Sequence, residues 1–128
     1  VAPEGWHIPT DGEWKQLEIF LGMSPAAADL GDHRGTNEGE KLKCEWFVYW
    51  IEPISGITNV TGFTALPSGY RSREGDYTNK YTSASFWTSS LSLNKKNGMG
   101  RSVDFANTSI SRSSALKHCG LSIRCVKD

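Results

Sequence analysis

The stretch Gly98–Phe105 constrains this chain most. Met99, Arg101, Val103 and Phe105 alternate with Ser102 and Asp104. Alternation of that kind is the period of a β-strand with one face covered and one face wet. A short Ala106-Asn107 turn follows, and Thr108–Ser114 repeats the extended pattern, which predicts an antiparallel hairpin. Ser83–Ser90 reads as a further strand. Gly120–Val126 reads as a closing one, with Leu121, Ile123 and Cys125 on one side and Ser122 and Arg124 on the other. Such a sheet has an apolar face that something else must cover.

The start of the chain supplies the cover. Thr10 is placed as an N-cap and Glu13 stands three residues on, where it can reach back in a capping box. Trp14, Leu17, Phe20 and Leu21 recur at helical spacing, and Gly22 is placed to end the helix. One helix cannot bury its own apolar stripe, so the spacing predicts packing on the sheet. Ser24-Pro25 opens a second, short helix that Gly31 stops. Residues 32–41 read as a loop. Helices first and strands last predict an α+β domain, two N-terminal helices packed on a twisted antiparallel sheet with long irregular loops.

Between these parts lies the run from Trp46 to Ile51, aromatic and β-branched throughout. It reads as a buried strand or as an apolar loop that plugs the domain, with Trp46, Tyr49 and Trp50 more often core than sugar platforms. Gly56, Gly62, Pro67 and Gly69 punctuate short extended pieces after it.

At 128 residues the chain is one domain with room for a core. Its 14 basic and 14 acidic residues cancel, which argues against a nucleic-acid surface. No apolar run is long enough to cross a membrane. The beginning at Val1 reads as that of a mature or trimmed fragment whose targeting segment has been removed. Abundant Ser, Thr, Asn and Gly with five tryptophans suggest an extracytoplasmic protein.

The segments PEGWHIPTDGEW, GFTALPSGYR, FWTSS and GLSIRCVKD, in that order between Val1 and Asp128, resemble the Fibrobacter succinogenes major paralogous domain. The resemblance implies a C-type lectin-like fold, in the branch shared with formylglycine-generating enzymes and the variable proteins of diversity-generating retroelements. It also implies a surface-exposed protein or lipoprotein of Bacteroidetes or Fibrobacter. The family pattern carries a cysteine where this chain has Ala2, with a partner near the end, here Cys125. That staple, worth about 4–5 kcal/mol on the chain-entropy model, is absent. Cys44, Cys119 and Cys125 then leave a Cys119–Cys125 bond, a Cys44–Cys119 bond, or small buried thiols as open alternatives.

A calcium-dependent sugar site is not expected. Glu52-Pro53-Ile54 stands nearest to the lectin tripeptides, and isoleucine offers no ligand oxygen. No cofactor or metal is expected, and no enzyme. The terminal HCGLSIRC matches the end of the fold rather than a copper-binding active-site segment. His7, His33 and His118 accompany many serines without a nucleophile elbow.

The remaining reading is recognition. In this branch of the fold, the residues before the last strand form a ligand face, which here is 91–118. Its candidates are Asn94, Lys95, Asn97, Arg101, Asp104, Asn107, Ser109, Ser111, Arg112 and His118. Of these, Asn94, Arg101, Asp104, Asn107, Ser109, Arg112 and His118 carry the assignment. Ser and Asn give adaptable hydrogen bonds, and Arg101 or Arg112 could anchor an acidic or planar group. The expected partner is an extracellular glycan or protein. Nucleic acid is not expected, and membrane only through an anchor outside this fragment. The alternatives are an architectural module of a surface assembly and a retroelement-diversified display domain.

Overall fold

The computed structural model describes residues 1–46, 49–51 and 56–128. The helices are α1 (Asp11–Phe20), α2 (Pro25–Ala28) and α3 (Glu38–Leu42). The strands are β1 (Trp6–His7), β2 (Asp32–Arg34), β3 (Tyr70–Arg71), β4 (Tyr77–Thr78), β5 (Ser83–Leu91), β6 (Asn97–Asp104), β7 (Ile110–Leu116) and β8 (Val126–Lys127). The chain is α+β with antiparallel pairing between its named strands. The main sheet runs β2-β7-β6-β5. The expected hairpin is the β6–β7 pair, with Arg101 opposite Arg112 and Ser102 opposite Ser111.

α1 forms where its cap dictates. The Thr10 hydroxyl accepts from the Glu13 amide, and the Glu13 carboxylate accepts from the Thr10 amide at 2.8 Å. The helix lays Trp14 on Phe86 of β5, ring centroids 5.9 Å apart, and on Phe63 at 5.7 Å. Leu42, Trp50, Ala84, Val103 and Ile110 complete the core. Ala84, Phe86, Arg101, Val103 and Ile110 share the sheet face that α1 covers. Residues between them in sequence point the other way, because side chains alternate along a strand.

Several expectations change. Residues 32–41 are not a loop: they hold β2, which becomes the edge of the main sheet, and most of α3. Polar residues hid both elements, since β2 exposes Asp32 and His33 and buries an arginine, and α3 is stitched to the rest by Gly39 and Glu40 amides donating to the Thr108 carbonyl. Phe20 is exposed, and Glu18 takes its place as the buried residue of the helix face. Gly120–Val126 is no continuous strand: it touches the fold through single bridges, Arg71 with Gly120 and Phe86 with Ser122, before β8. In the aromatic run Trp50 is core, while Trp46 and Tyr49 stack on each other at the surface, centroids 6.0 Å apart. Phe47 and Val48 lie outside the described residues.

The two ends of the chain meet without a staple. β1 pairs with β8, Trp6 opposite Lys127 and His7 opposite Val126. His7 locks the pair, its Nδ1 2.6 Å from Asp128 Oδ1 and its Nε2 2.8 Å from Glu13 Oε1. The Asp128 hydrogen bond, then that of Glu13, raises the His7 pKa above its ordinary 6.5. Glu13 is lowered to about 2, first by the Thr10 amide and then by His7. Raised folded-state basicity means that the His7 contribution is complete below its ordinary value and is lost as pH rises through the raised one. Thermal melts between about pH 6 and pH 9 are therefore expected to show stability falling with pH. The fall should shrink in His7→Phe; an equal slope in that variant would remove His7 as the cause.

Candidate functional site

The sheet face turned away from α1 carries small hydroxyl side chains over its middle, with Trp87 at one end, opposite Gly100 and over Gly98. Cross-strand partners share a face, so the register sets Ser85, Ser102, Ser111 and His33 in one row. It sets Ser83 beside Asp104 in the next, and Gly100 beside Ser113 in the one before. The β3–β4 segment and the chain after β7 rise around this floor. The result is an open cleft of about 410 Å³, walled by Tyr70 and Asn79 on one side and Cys119 and Leu121 on another. Among the described residues, no side chain or backbone group engages the hydroxyls of Ser83, Ser85, Ser102 or Ser113.

Asp104 is the charged side chain of the floor, and it is held in place. Its Oδ1 accepts from the Ala106 amide and from Asn107 Nδ2, each at 2.9 Å, and its Oδ2 from Asn107 Nδ2 at 3.1 Å. Asn107 is fixed in turn, because its carbonyl accepts from the buried Lys43 Nζ at 2.6 Å. Burial lowers the Lys43 pKa. His33 Nε2 lies 3.5 Å from Asp104 Oδ2, and His33 Nδ1 lies 3.4 Å from Ser109 Oγ. Of the expected ligand residues Asp104 lines the cleft, while Asn107 and Ser109 stand behind it, tied to Asp104 and His33 and outside the lining.

Arg101 and Arg112 do something else. The Arg101 side chain is 1 % exposed and crosses to the α1 side, where Nε donates to Glu18 Oε1 at 2.6 Å and NH1 to Asp11 Oδ1 at 2.8 Å. Only its backbone remains for the cleft floor. Arg112 clamps Asp11 through Nε at 3.0 Å and NH2 at 2.8 Å. Arg34 completes the group, NH2 on Glu18 Oε2 at 2.5 Å. Burial acts to raise the Asp11 pKa, but the Arg112 and Arg101 hydrogen bonds outweigh it and hold the carboxyl far below the usual carboxylate range. The two arginines expected to grip a ligand are therefore spent on joining helix to sheet. Their guanidinium groups were misplaced because residues 101 and 104, three apart in a strand, cannot share a face.

Asn94 belongs to the β5–β6 turn, accepting from Ser92 Oγ at 2.7 Å and the Lys96 amide at 3.0 Å. His118 is exposed beside Cys119. Neither lines the cleft. The Glu52-Pro53-Ile54 tripeptide lies outside the described residues. Ser83, Ser85, Tyr70 and Asn79 were not among the expected ligand residues, since they precede the 91–118 segment. The alternation of Ser83 and Ser85 with Ala84 and Phe86 is the signal that would have found the first two.

All three cysteines are free thiols. Cys44 is buried, Cys119 lines the cleft wall, and Cys125 lines an apolar groove with Trp6, Leu17 and Phe63. Alkylation of the native protein is expected to label Cys119 and Cys125 and to spare Cys44 until denaturant is added. Intact mass after labelling checks this, and a native protein lacking two hydrogens and two labels would mean a Cys119–Cys125 bond.

The Fibrobacter succinogenes major domain family matches residues 1–127. No curated protein and no solved structure matches the chain.

Proposed function

The chain belongs to the Fibrobacter succinogenes major domain family, and from that footing we propose that it is a non-catalytic recognition domain of C-type lectin-like fold on a bacterial cell surface. It binds an extracellular glycan or protein in the serine-lined cleft. One observation carries the reading. A sheet face left bare by the fold is concave, and its hydroxyls are not consumed by internal hydrogen bonds. Buried or half-buried polar groups in a folded core are ordinarily paired. Hydroxyls gathered in a cavity of small-molecule size and left for solvent are available to a ligand. An architectural module needs no such concavity.

The floor is rigid where a ligand would rest. It lies on the paired strands β5, β6 and β7, and Asp104 and Asn107 fix each other. Preorganised groups lose little freedom on binding, which favours affinity. Among the described residues no group of three or more His, Cys, Asp or Glu is placed to hold a metal ion.

The test is a binding screen of the purified domain against arrayed glycans and surface proteins, with calcium and with chelator, run beside Ser102→Trp. Indole at position 102 fills the floor of the cleft. A hit that falls at least tenfold in the filled variant supports recognition at this face. Hits that persist unchanged in the filled variant, or none at all on either array, would move the assignment to the architectural role.

A further inference from the structure

Resting on the recognition reading, we infer that the ligand of the cleft is an uncharged, hydroxyl-rich saccharide rather than an acidic glycan or a protein surface. The observation is what the lining contains and what it lacks. Ser83, Ser85, Ser102 and Ser113 face the space with free hydroxyls, and Asp104 stands among them. Each serine offers one donor and two acceptor lone pairs. A sugar hydroxyl offers the same set, so the two interlock whichever way each proton points. The Asp104 carboxylate accepts strong, charge-assisted bonds from hydroxyl pairs. Tyr70 and Leu121 add the apolar contact that the carbon face of a pyranose needs.

Among the described residues of the lining, acidic ligands find no free counter-charge. The one cationic residue of the lining is Arg101, and its guanidinium is sealed on the opposite face by Glu18 and Asp11. A carboxylate or sulfate brought into the cleft would meet Asp104 instead, and like charges at close range repel. His33 stands at the margin, already turned to Asp104 and Ser109. Protein partners are disfavoured on other grounds. Interfaces are anchored by Trp, Tyr and Arg in desolvated centres and cover roughly 800 Å² on each side. This cleft is a concavity of about 410 Å³ whose floor is serine.

The experiment uses the intact domain and three kinds of probe: four neutral sets (gluco-, manno-, galacto- and xylo-oligosaccharides), their sialylated and sulfated counterparts, and a panel of surface proteins. Binding is measured for the parent, for Ser102→Trp, and for Ser85→Ala and Ser102→Ala singly. Ser113→Tyr, at an exposed rim position, stands in if the tryptophan variant fails to fold by circular dichroism. Expected is millimolar or tighter binding to a neutral set, lost on filling the cleft and weakened about fivefold by each hydroxyl deletion, the ratio that one hydrogen bond provides. Binding of acidic glycans or of a protein, lost on filling the cleft, would overturn the ligand class and leave the recognition reading standing. A blank against every neutral set at millimolar concentration would likewise overturn the class. Binding that no cleft variant disturbs would overturn the recognition reading itself.

Discussion

Glu18→Ala is expected to remove most of the stability of the domain. Glu18 is wholly buried and is shared by two arginines, Arg101 on Oε1 and Arg34 on Oε2. Deleting the carboxylate strands the Arg34 guanidinium, which is 2 % exposed, and leaves Arg101, 1 % exposed, with Asp11 alone. Breaking a buried ion pair from one side costs about 3–5 kcal/mol, because the remaining charge stays desolvated and unpaired. Here Arg34 loses its carboxylate outright and Arg101 loses one of two. Arg34 has little to fall back on: its Nε already lacks a partner among the described residues, and burial already lowers its pKa. A loss of that size is a large part of the about 5–15 kcal/mol that holds a domain together. Urea titration followed by tryptophan fluorescence gives the answer. A midpoint shift equivalent to under about 1 kcal/mol would mean that water reaches the arginines and that the cluster is not sealed. Asp11 adds a pH dependence with a definite sign. Its pKa is depressed by Arg112 and Arg101, so its contribution is present above the ordinary carboxylate range and is lost only in strong acid.

The ion cluster also explains what could and could not be read from the residues. α1 was legible to the residue at its start, because a capping box is a local device. The strands β5, β6 and β7 were legible because alternation survives in every one of them. Arg101 was assigned to the ligand face although it stands in the Met99, Val103, Phe105 series, which is the covered face. A charge on an apolar face needs a buried partner, and Glu18, one helical turn from Trp14, was the partner on offer. That match spans 83 positions of sequence, and no local rule connects them. β2 and α3 were illegible for a different reason. Their stability comes from tertiary contacts, the strand from pairing with β7 and the helix from the Thr108 carbonyl, rather than from an apolar period. The cleft was half legible. Ser102, Asp104 and Ser113 fall in the expected segment, but a wall comes from Tyr70 and Asn79, which reach it only once the chain has folded.

Gly69 decides whether that wall can stand, and its replacement tests the point. Gly69 has φ +68, and a Cβ there would sit 2.0 Å from the Thr78 carbonyl oxygen and 2.8 Å from Asn79 C and Lys80 N. All three are backbone atoms, which cannot swing aside as a flexible side chain can. Gly69 also precedes Tyr70 of β3 and donates its amide to the Ser83 carbonyl, tying the wall to the floor. Gly62 provides the comparison, with φ +66 and nothing within 4 Å of its virtual Cβ. Alanine at either position must hold a left-handed backbone, which costs roughly 1–2 kcal/mol. Only at position 69 must the backbone opposite also move. Gly62→Ala is therefore expected to lose about 1 kcal/mol, and Gly69→Ala clearly more, with the excess measuring the steric term alone. Thermal melts of the two variants give the difference. Amide hydrogen exchange at Tyr70, Thr78 and Asn79 reports whether the wall has loosened, which it should in Gly69→Ala and not in Gly62→Ala. Equal losses in the two variants would mean that the β3–β4 wall yields freely. A wall that yields would not hold Tyr70 in place over the serine floor, and ligand contact would then rest on β5, β6 and β7 alone.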